Sequence, residues 1–179
     1  MIRGNFWRAA GVAVAIAMLA APAGARPWKP TPQALAQDYL QIQQVKANSE
    51  LVLLMWIAPP MIAQPQFSAI LDKYVVIGVA HGRPGVGGLL FDEIPTLEVK
   101  NGEGTALKFV TDKDLPDDAA QSIQILTGSI KQATGMVGQG VHFFVFEGNV
   151  HACEKGRLVV PYDGEEYTFD TPVPGCPNK

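Results

Sequence analysis

Apolar residues in the segment 32–48 recur at the spacing of an amphipathic helix. They are Leu35, Tyr39, Ile42 and Val45, and glutamines lie between them. Thr31 precedes the segment as a potential N-cap, and Pro32 suits the first helical position, where its missing N–H costs nothing. The pattern therefore predicts a first helix over residues 32–48 that lies on an apolar surface.

The same helical spacing returns after Pro116. Its apolar stripe consists of Ala119, Ile123, Leu126, Ile130 and Ala133. Asp117 and Asp118 occupy the first turn, where the helix dipole favours negative charge, and Gly135 suits the position just past the last turn. A second amphipathic helix is predicted here, with Pro116 at its first position.

Two continuous apolar runs indicate strands that are buried on both faces. Residues 51–57 end at a proline-rich loop over 58–66, and residues 74–80 are rich in valine and isoleucine. Short apolar runs of this kind suit strands that are covered on both sides. Between them, residues 67–73 predict a short helix. After them, the glycine-rich segment 82–88 predicts a flexible loop.

The remaining strands are predicted as hairpins. Residues 89–91 form a short strand, and residues 97–100 pair with 105–110 across a turn at 101–104. Residues 141–147 pair with the chain from Val150 onward across Gly148-Asn149. Residues 157–162 pair with 165–170 across Asp163-Gly164, and Asp-Gly is a strong type I′ turn signal.

The last of these hairpins has a defined register. Pairing about Asp163-Gly164 places Tyr162 opposite Glu165 and Arg157 opposite Asp170. One face is then apolar, through Leu158, Val160, Tyr167 and Phe169, and the other is largely polar. A sheet with one face in water requires this pattern.

Together these elements predict an α+β fold that is mainly antiparallel β, with two amphipathic helices. We favour an immunoglobulin-like β-sandwich with a helix inserted before the last strands. A single sheet backed by two helices is the alternative.

The first 25 residues have the order of parts of a cleavable secretion signal. Arg3 and Arg8 supply positive charge, residues 9–21 form an uncharged apolar run, and Pro22 precedes the small residues 23–25. The run is shorter than the roughly 20 apolar residues that a membrane-spanning helix needs. Residues 1–25 are therefore predicted to be a cleaved signal peptide. Residues 26–179 are predicted to be a single β-rich domain in the periplasm or outside the cell.

The charge of the exported part restricts its partners. Loss of Arg3 and Arg8 lowers the formal net charge from −3 to −5, and no basic cluster is present. Nucleic acid and anionic membrane surfaces both require clustered cations, so neither is expected to bind. No membrane span remains after signal cleavage. The partner is undefined, and another envelope protein is the candidate we consider.

Cys153 and Cys176 are the two cysteines of the chain. In an oxidising compartment they most simply form one disulfide, which closes a loop of about 24 residues. A free thiol pair, an interchain bridge and a redox couple are the alternatives, although a thioredoxin-like redox site would require the C-x-x-C spacing.

The three histidines, His81, His142 and His151, prompt a test for a metal site. If the predicted hairpin at Gly148-Asn149 holds, His142 and His151 lie roughly 13 Å apart along the sheet and cannot share an ion. A site that joins His81 to one of the others stays open. No metal ligands and no cofactor are assigned from the sequence.

His81 also ends a buried strand beside the glycine-rich loop, and Asp92 and Glu93 follow it. A His–carboxylate pair there would be a general base, although no nucleophile motif accompanies it. Two hypotheses follow. One is an exported, non-catalytic binding or accessory module. The other is a small exported hydrolase that uses His81 with Asp92 or Glu93. We favour the first because no complete catalytic set is assembled.

Overall fold

The computed structural model describes residues 39–45, 50–62, 64–148 and 150–176, so the predicted signal peptide lies outside the described residues. Within these ranges the elements, in chain order, are β1 (Leu40–Val45), β2 (Glu50–Ile57), the 3-10 turn Pro59–Met61, α1 (Pro65–Leu71), β3 (Tyr74–Gly85), β4 (Gly88–Phe91), β5 (Lys100–Asn101), β6 (Lys108–Val110), α2 (Asp117–Ala133), α3 (Gly135–Gln139), β7 (His142–Glu147), β8 (Gly156–Tyr162) and β9 (Glu165–Thr171).

These strands form two antiparallel sheets. The large sheet has the order β1-β2-β3-β7-β6, with β4 paired to the end of β3, and the small sheet has the order β5-β8-β9. The predicted α+β class with mostly antiparallel strands is confirmed. An immunoglobulin-like sandwich is not confirmed, because the small sheet covers one face of the large sheet while helices cover the other. The described residues also form three helices instead of two.

Side chains of β2 and β3 alternate between two cores, one on each face of the large sheet. The inter-sheet core packs alternate residues of both strands against the small sheet and includes Val52, Leu54, Trp56, Val75, Ile77, Val79, Leu158, Val160, Tyr167 and Phe169. The helix-side core takes the intervening residues and packs them on α1 and α2; it includes Leu53, Met55, Ile57, Val76, Leu71, Ala119, Ile123 and Leu126. The prediction of two strands buried on both faces is thus confirmed.

The predicted first helix over residues 32–48 is wrong where it can be compared. Residues 40–45 form β1, an edge strand that pairs with β2 from Leu40–Met55 to Val45–Glu50. The rest of the predicted helix lies outside the described residues, apart from Tyr39, which is buried in the inter-sheet core. Apolar and glutamine residues alternate over 40–43, and a partner strand outweighs weak helical propensity.

The predicted hairpin across Gly148-Asn149 is also wrong. Strand β7 pairs with β3, from Glu147 opposite Tyr74 to His142 opposite Val79, and with β6 on its other side. The chain then crosses to the small sheet and resumes as β8 at Gly156. A long pairing with a buried central strand gives β7 more burial than a local turn could, so the non-local partner is preferred.

The second predicted hairpin is confirmed throughout. Strands β8 and β9 pair with Tyr162 opposite Glu165 and Arg157 opposite Asp170. Both turn residues have positive φ, at 50° for Asp163 and 78° for Gly164, as a type I′ turn requires. Local turn chemistry and an alternating pattern agree here, and together they set the register.

The glycine-rich segment is only partly a loop. Strand β3 continues to Gly85 and turns at residues 86–87 into β4, which confirms the short strand predicted at 89–91. The predicted pairing of residues 97–100 with 105–110 is limited to the region of the turn, where one bridge joins Lys100 to Ala106. The two strands then belong to different sheets: β5 pairs with β8 in the small sheet, and β6 pairs with β7 in the large sheet.

The predicted helices at 67–73 and after Pro116 correspond to α1 and α2. Gly135 follows the C-cap of α2 with a φ of 60°, in the left-handed conformation expected of it. Cys153 and Cys176 are bonded, with their Cα atoms 5.3 Å apart. Among the described helices, none combines the length and apolar character needed to cross a bilayer.

Candidate functional site

Polar residues replace apolar ones where the inter-sheet core reaches its rim. On β3 the residues facing the small sheet are Val75, Ile77 and Val79, and the next residue on that face is His81. His81 lies opposite Val52 of β2. Glu50 lies two residues before Val52 in the chain and therefore on the same face of the sheet. The alternation that builds the core therefore also directs these two polar side chains into its edge.

His81 is the centre of this rim, and its side chain is only 13 % exposed. Its Nε2 atom lies 3.7 Å from an oxygen of Glu50, and its Nδ1 atom lies 3.6 Å from an oxygen of Asp92. The Tyr162 hydroxyl, at the end of β8, lies 3.3 Å from the same Nδ1 atom. The two aromatic rings meet edge to face, with centroids 5.9 Å apart.

The two nitrogens of His81 differ in their surroundings. Nδ1 has the Tyr162 hydroxyl at hydrogen-bond distance, whereas Nε2 is buried and has no hydrogen-bond partner. A buried polar atom without a partner loses its hydration without compensation, which costs about 1–3 kcal/mol. Such an atom in a native structure requires an explanation.

Asp92 is fixed by the hairpin that carries it. Its backbone N–H donates to the carbonyl oxygen of His81 at 2.9 Å, which continues the β3–β4 pairing by one residue. Its carboxylate accepts a hydrogen bond from Arg83 Nε at 3.1 Å and a second from Arg83 Nη2. The Asp92 carboxylate raises the pKa of Arg83 through this hydrogen bond and its charge. Arg83 and Asp92 thus neutralise each other.

Tyr162 is kept protonated by its position. Burial raises the pKa of its phenol, and the negative charges of Asp163 and Asp92 raise it further. The hydroxyl therefore stays neutral at physiological pH and can donate to or accept from His81 Nδ1.

Three of these residues form a group that could hold a metal ion. Glu50, His81 and Asp163 each offer one ligand atom, and these atoms all lie within 4.8 Å of one another. They come from the start of β2, the middle of β3 and the β8–β9 turn. Of this group, only His81 is a candidate site residue from the sequence. Glu50 marks a strand boundary and Asp163 a turn, and only the pairing of β2 with β3 brings Glu50 beside His81.

The other candidates lie elsewhere. Glu93 is exposed and is not among the groups placed around His81. His142 pairs with Val79 on β7, and His151 lies in the connection between β7 and β8, so the register behind the expected 13 Å separation does not hold. Neither joins His81 in the metal-binding group.

Two surface depressions lie away from the rim in the part of the chain that the structure describes, and His81 lines neither of them. The larger, of about 750 Å³, lies beside the disulfide-bonded segment and is lined by polar residues that include Glu103, His151, Arg157 and Asp170. The smaller, of about 220 Å³, is apolar and lies between the β3–β4 hairpin and α3.

Comparison with known proteins finds no matching family model, no matching curated protein and no matching solved structure. The fold, the rim at His81 and the exposed apolar residues of the β3–β4 hairpin are therefore the basis on which a function can be argued.

Proposed function

We propose that this chain is an exported, non-catalytic binding module of the cell envelope. We further propose that it binds a partner protein through an apolar surface at the tip of the β3–β4 hairpin. This hairpin surface consists of Val86, Leu89, Leu90 and Met136. The observation that carries the proposal is its exposure: Val86 is 107 % exposed, Leu90 61 % and Met136 84 %.

The hairpin surface carries no charge. No charged residue occurs over 86–91 or over 134–141, the two segments that form it. Leu89 and Leu90 lie on opposite faces of the hairpin, so the exposed apolar side chains surround its tip. Exposed apolar surface of this kind marks an interaction site. Charged partners such as nucleic acid gain nothing from it, whereas an apolar segment of another protein does.

The hairpin surface is also held in place. A Cβ atom on Gly140, just after α3, would lie 2.1 Å from the Phe91 ring, so the end of β4 packs directly on the α3 backbone. Because little adjustment is needed on binding, a preformed surface of this kind binds at low entropic cost.

Strand β4 offers a further binding element. In the part of the chain that the structure describes, its strand partner is β3. Exposed edges are usually blunted by charge or proline, and β4 (Gly88–Phe91) carries neither. We therefore infer that the partner contributes an extended apolar segment that pairs with β4 and covers Leu90.

Crosslinking tests this proposal. A photoreactive residue at Val86 should give one discrete adduct in the envelope of the producing organism, and the purified partner should bind the isolated domain. Leu90→Glu should remove the adduct and weaken binding by at least about tenfold, which corresponds to 1.4 kcal/mol. Ile125→Glu is the matched control, since Ile125 is 52 % exposed on α2 and lies outside the hairpin surface.

Three outcomes would overturn it. They are no adduct at Val86, an adduct that both substitutions remove equally, and an adduct with twice the mass of the chain, which would show self-association. Unchanged thermal unfolding of both variants ensures that the comparison concerns binding and not folding.

A small exported hydrolase remains the second candidate, favoured by the 3.6 Å approach of Asp92 to His81. Against it, Nε2 of His81 is enclosed, and the described serines Ser68, Ser122 and Ser129 lie on helices. His81→Ala should abolish any esterase or peptidase activity found while His151→Ala retains it. Equal turnover by both variants would exclude this role for His81.

A further inference from the structure

We propose that Glu50, His81 and Asp163 bind one divalent transition-metal ion, with Zn²⁺ as the ion of first choice. The proposal concerns the rim of the inter-sheet core and does not depend on the hairpin surface. Its two observations are the convergence of the three ligand atoms within 4.8 Å and the buried, unpartnered Nε2 atom of His81.

The distances are close to those of a loaded site. Zinc binds imidazole nitrogen and carboxylate oxygen at about 2.0–2.2 Å, so two ligand atoms of one tetrahedral ion lie about 3.4 Å apart. The three atoms described here need to move by less than about 1 Å each to reach that geometry. Rotations of the Glu50 and Asp163 side chains supply such a movement without a change in the backbone.

The unpaired nitrogen has the environment of a metal ligand. Tyr162 and Asp92 both lie near Nδ1, and in the tautomer that carries the ring proton on Nδ1 the Nε2 lone pair is directed toward Glu50 and is free to bind an ion. Metal-binding histidines commonly donate their second N–H to a carboxylate or another acceptor, which fixes the tautomer and the ring orientation. A bound ion would give Nε2 the partner that the protein does not supply.

The charges at the rim favour a dication. Arg83 and Asp92 cancel each other, which leaves the carboxylates of Glu50 and Asp163 as two negative charges beside the His81 imidazole. Glu50 is partly buried and Asp163 is exposed, and like charges that lie this close repel each other. One divalent ion would neutralise both.

The ligand set also selects the class of ion. One imidazole and two carboxylates suit first-row transition ions, whereas Ca²⁺ prefers six to eight oxygens and Mg²⁺ keeps several waters. Three protein ligands leave a fourth position for water or for a donor atom from a bound molecule.

Titration of the metal-free, disulfide-bonded domain with Zn²⁺ tests the proposal, with calorimetry for stoichiometry and Co²⁺ absorption for the ligand set. We expect one equivalent to bind. His81→Ala should lose more affinity than the roughly 10- to 100-fold that outer-shell substitutions cause. Asp92→Asn, a positioning change, should fall within that range and alter the Co²⁺ spectrum less.

Asp163→Asn keeps the test valid if His81→Ala misfolds, because asparagine tolerates the positive φ of this turn. It should weaken Zn²⁺ binding and leave the metal-free thermal unfolding temperature unchanged. Glu93→Gln and His151→Ala are the matched controls and should bind Zn²⁺ as the parent does. Absence of stoichiometric binding, or binding that survives His81→Ala and Asp163→Asn but not His151→Ala, would overturn the proposal.

Discussion

Strand β3 ends differently on its two faces. The residues that face the small sheet continue past Val79 to His81 and Arg83, and these join acidic groups from three other segments. The residues that face the helices continue from Ala80 to Gly82. The Phe91 ring packs so closely on Gly82 that a Cβ atom there would lie 3.2 Å from it. On one face the strand therefore ends in the polar rim, and on the other it ends in close packing of Phe91 against the backbone.

This difference teaches that a strand buried on both faces can serve two sites at once. Alternation decides which site a residue joins, so a shift of one position moves a side chain from the charged rim to the packed face. The two faces are also stabilised differently, by aromatic packing and a disulfide on one side and by aliphatic packing on helices on the other. The predictions below test that contrast.

The largest effect is expected from truncating the inter-sheet core. Trp56 and Ile57 are adjacent, both buried, and belong to opposite cores. Trp56→Ala should lower the free energy of unfolding by about 3–5 kcal/mol, because it removes a large ring that contacts Phe169 edge to face at 6.0 Å. Ile57→Ala should cost less, about 2–4 kcal/mol. Urea unfolding measures both, and the reverse order would place the main stabilisation on the helix side.

The disulfide should rank next. Cys153 and Cys176 are 23 positions apart, and the bond between them closes a loop that contains β8 and β9. Replacing both cysteines by serine opens this loop. Loop-closure entropy predicts a loss of roughly 3 kcal/mol. Unfolding in urea with and without reductant checks this value. A parent protein whose stability does not respond to reductant would contradict the assignment of the bond.

Alanine substitution of two glycines, one in the small sheet and one on α2, should change the free energy of unfolding by smaller amounts of opposite sign. Gly164→Ala in the β8–β9 turn should destabilise by about 1–2 kcal/mol, because φ there is 78°. Gly128→Ala on exposed α2 should stabilise by about 0.4–1 kcal/mol, since nothing lies within 4 Å of the new Cβ. Thermal and urea unfolding of the pair test this. Equal signs would show that the turn does not hold the positive φ.

The last prediction concerns the pH dependence of stability, which Tyr167→Phe tests. Burial, with the nearby charges of Asp163 and Glu165, raises the pKa of Tyr167 to about 12. Folding therefore favours the neutral phenol. The resulting stabilisation is present below the ordinary tyrosine pKa of about 10 and is lost as pH rises from there to about 12. Unfolding free energies at pH 8, 10 and 11 should decline less steeply for the Phe variant, and parallel curves would contradict this cause.

The sequence predicts best where local signals agree. The β8–β9 register follows from an Asp-Gly turn within an alternating pattern, and α2 follows from its stripe and its acidic first turn. The spacing of Tyr39, Ile42 and Val45 predicts a helix where β1 lies, because the strand depends on β2 as a partner and that partner leaves no local signal. β7 likewise pairs with β3, which is distant in sequence, and not with a neighbouring strand across a local turn. Such choices depend on sheet order, which no local pattern contains.

The candidate site shows the same division. His81 and Asp92 are close in sequence and share a hairpin, so their approach could be anticipated. Glu50 and Asp163 reach His81 only because β2 pairs with β3 and because the small sheet places its turn at the rim. Glu50 lies 31 positions before His81 and Asp163 lies 82 positions after it, and no spacing rule joins residues so far apart.

The Cys153–Cys176 bond makes residues 153–176 a covalent ring that contains β8 and β9. A protease that cleaves the exposed Asp163-Gly164 turn would therefore leave two fragments tied to each other. The nicked chain would migrate as one species without reductant and as two with it. Because the tether keeps the severed strands at high effective concentration, they would stay paired after the cut.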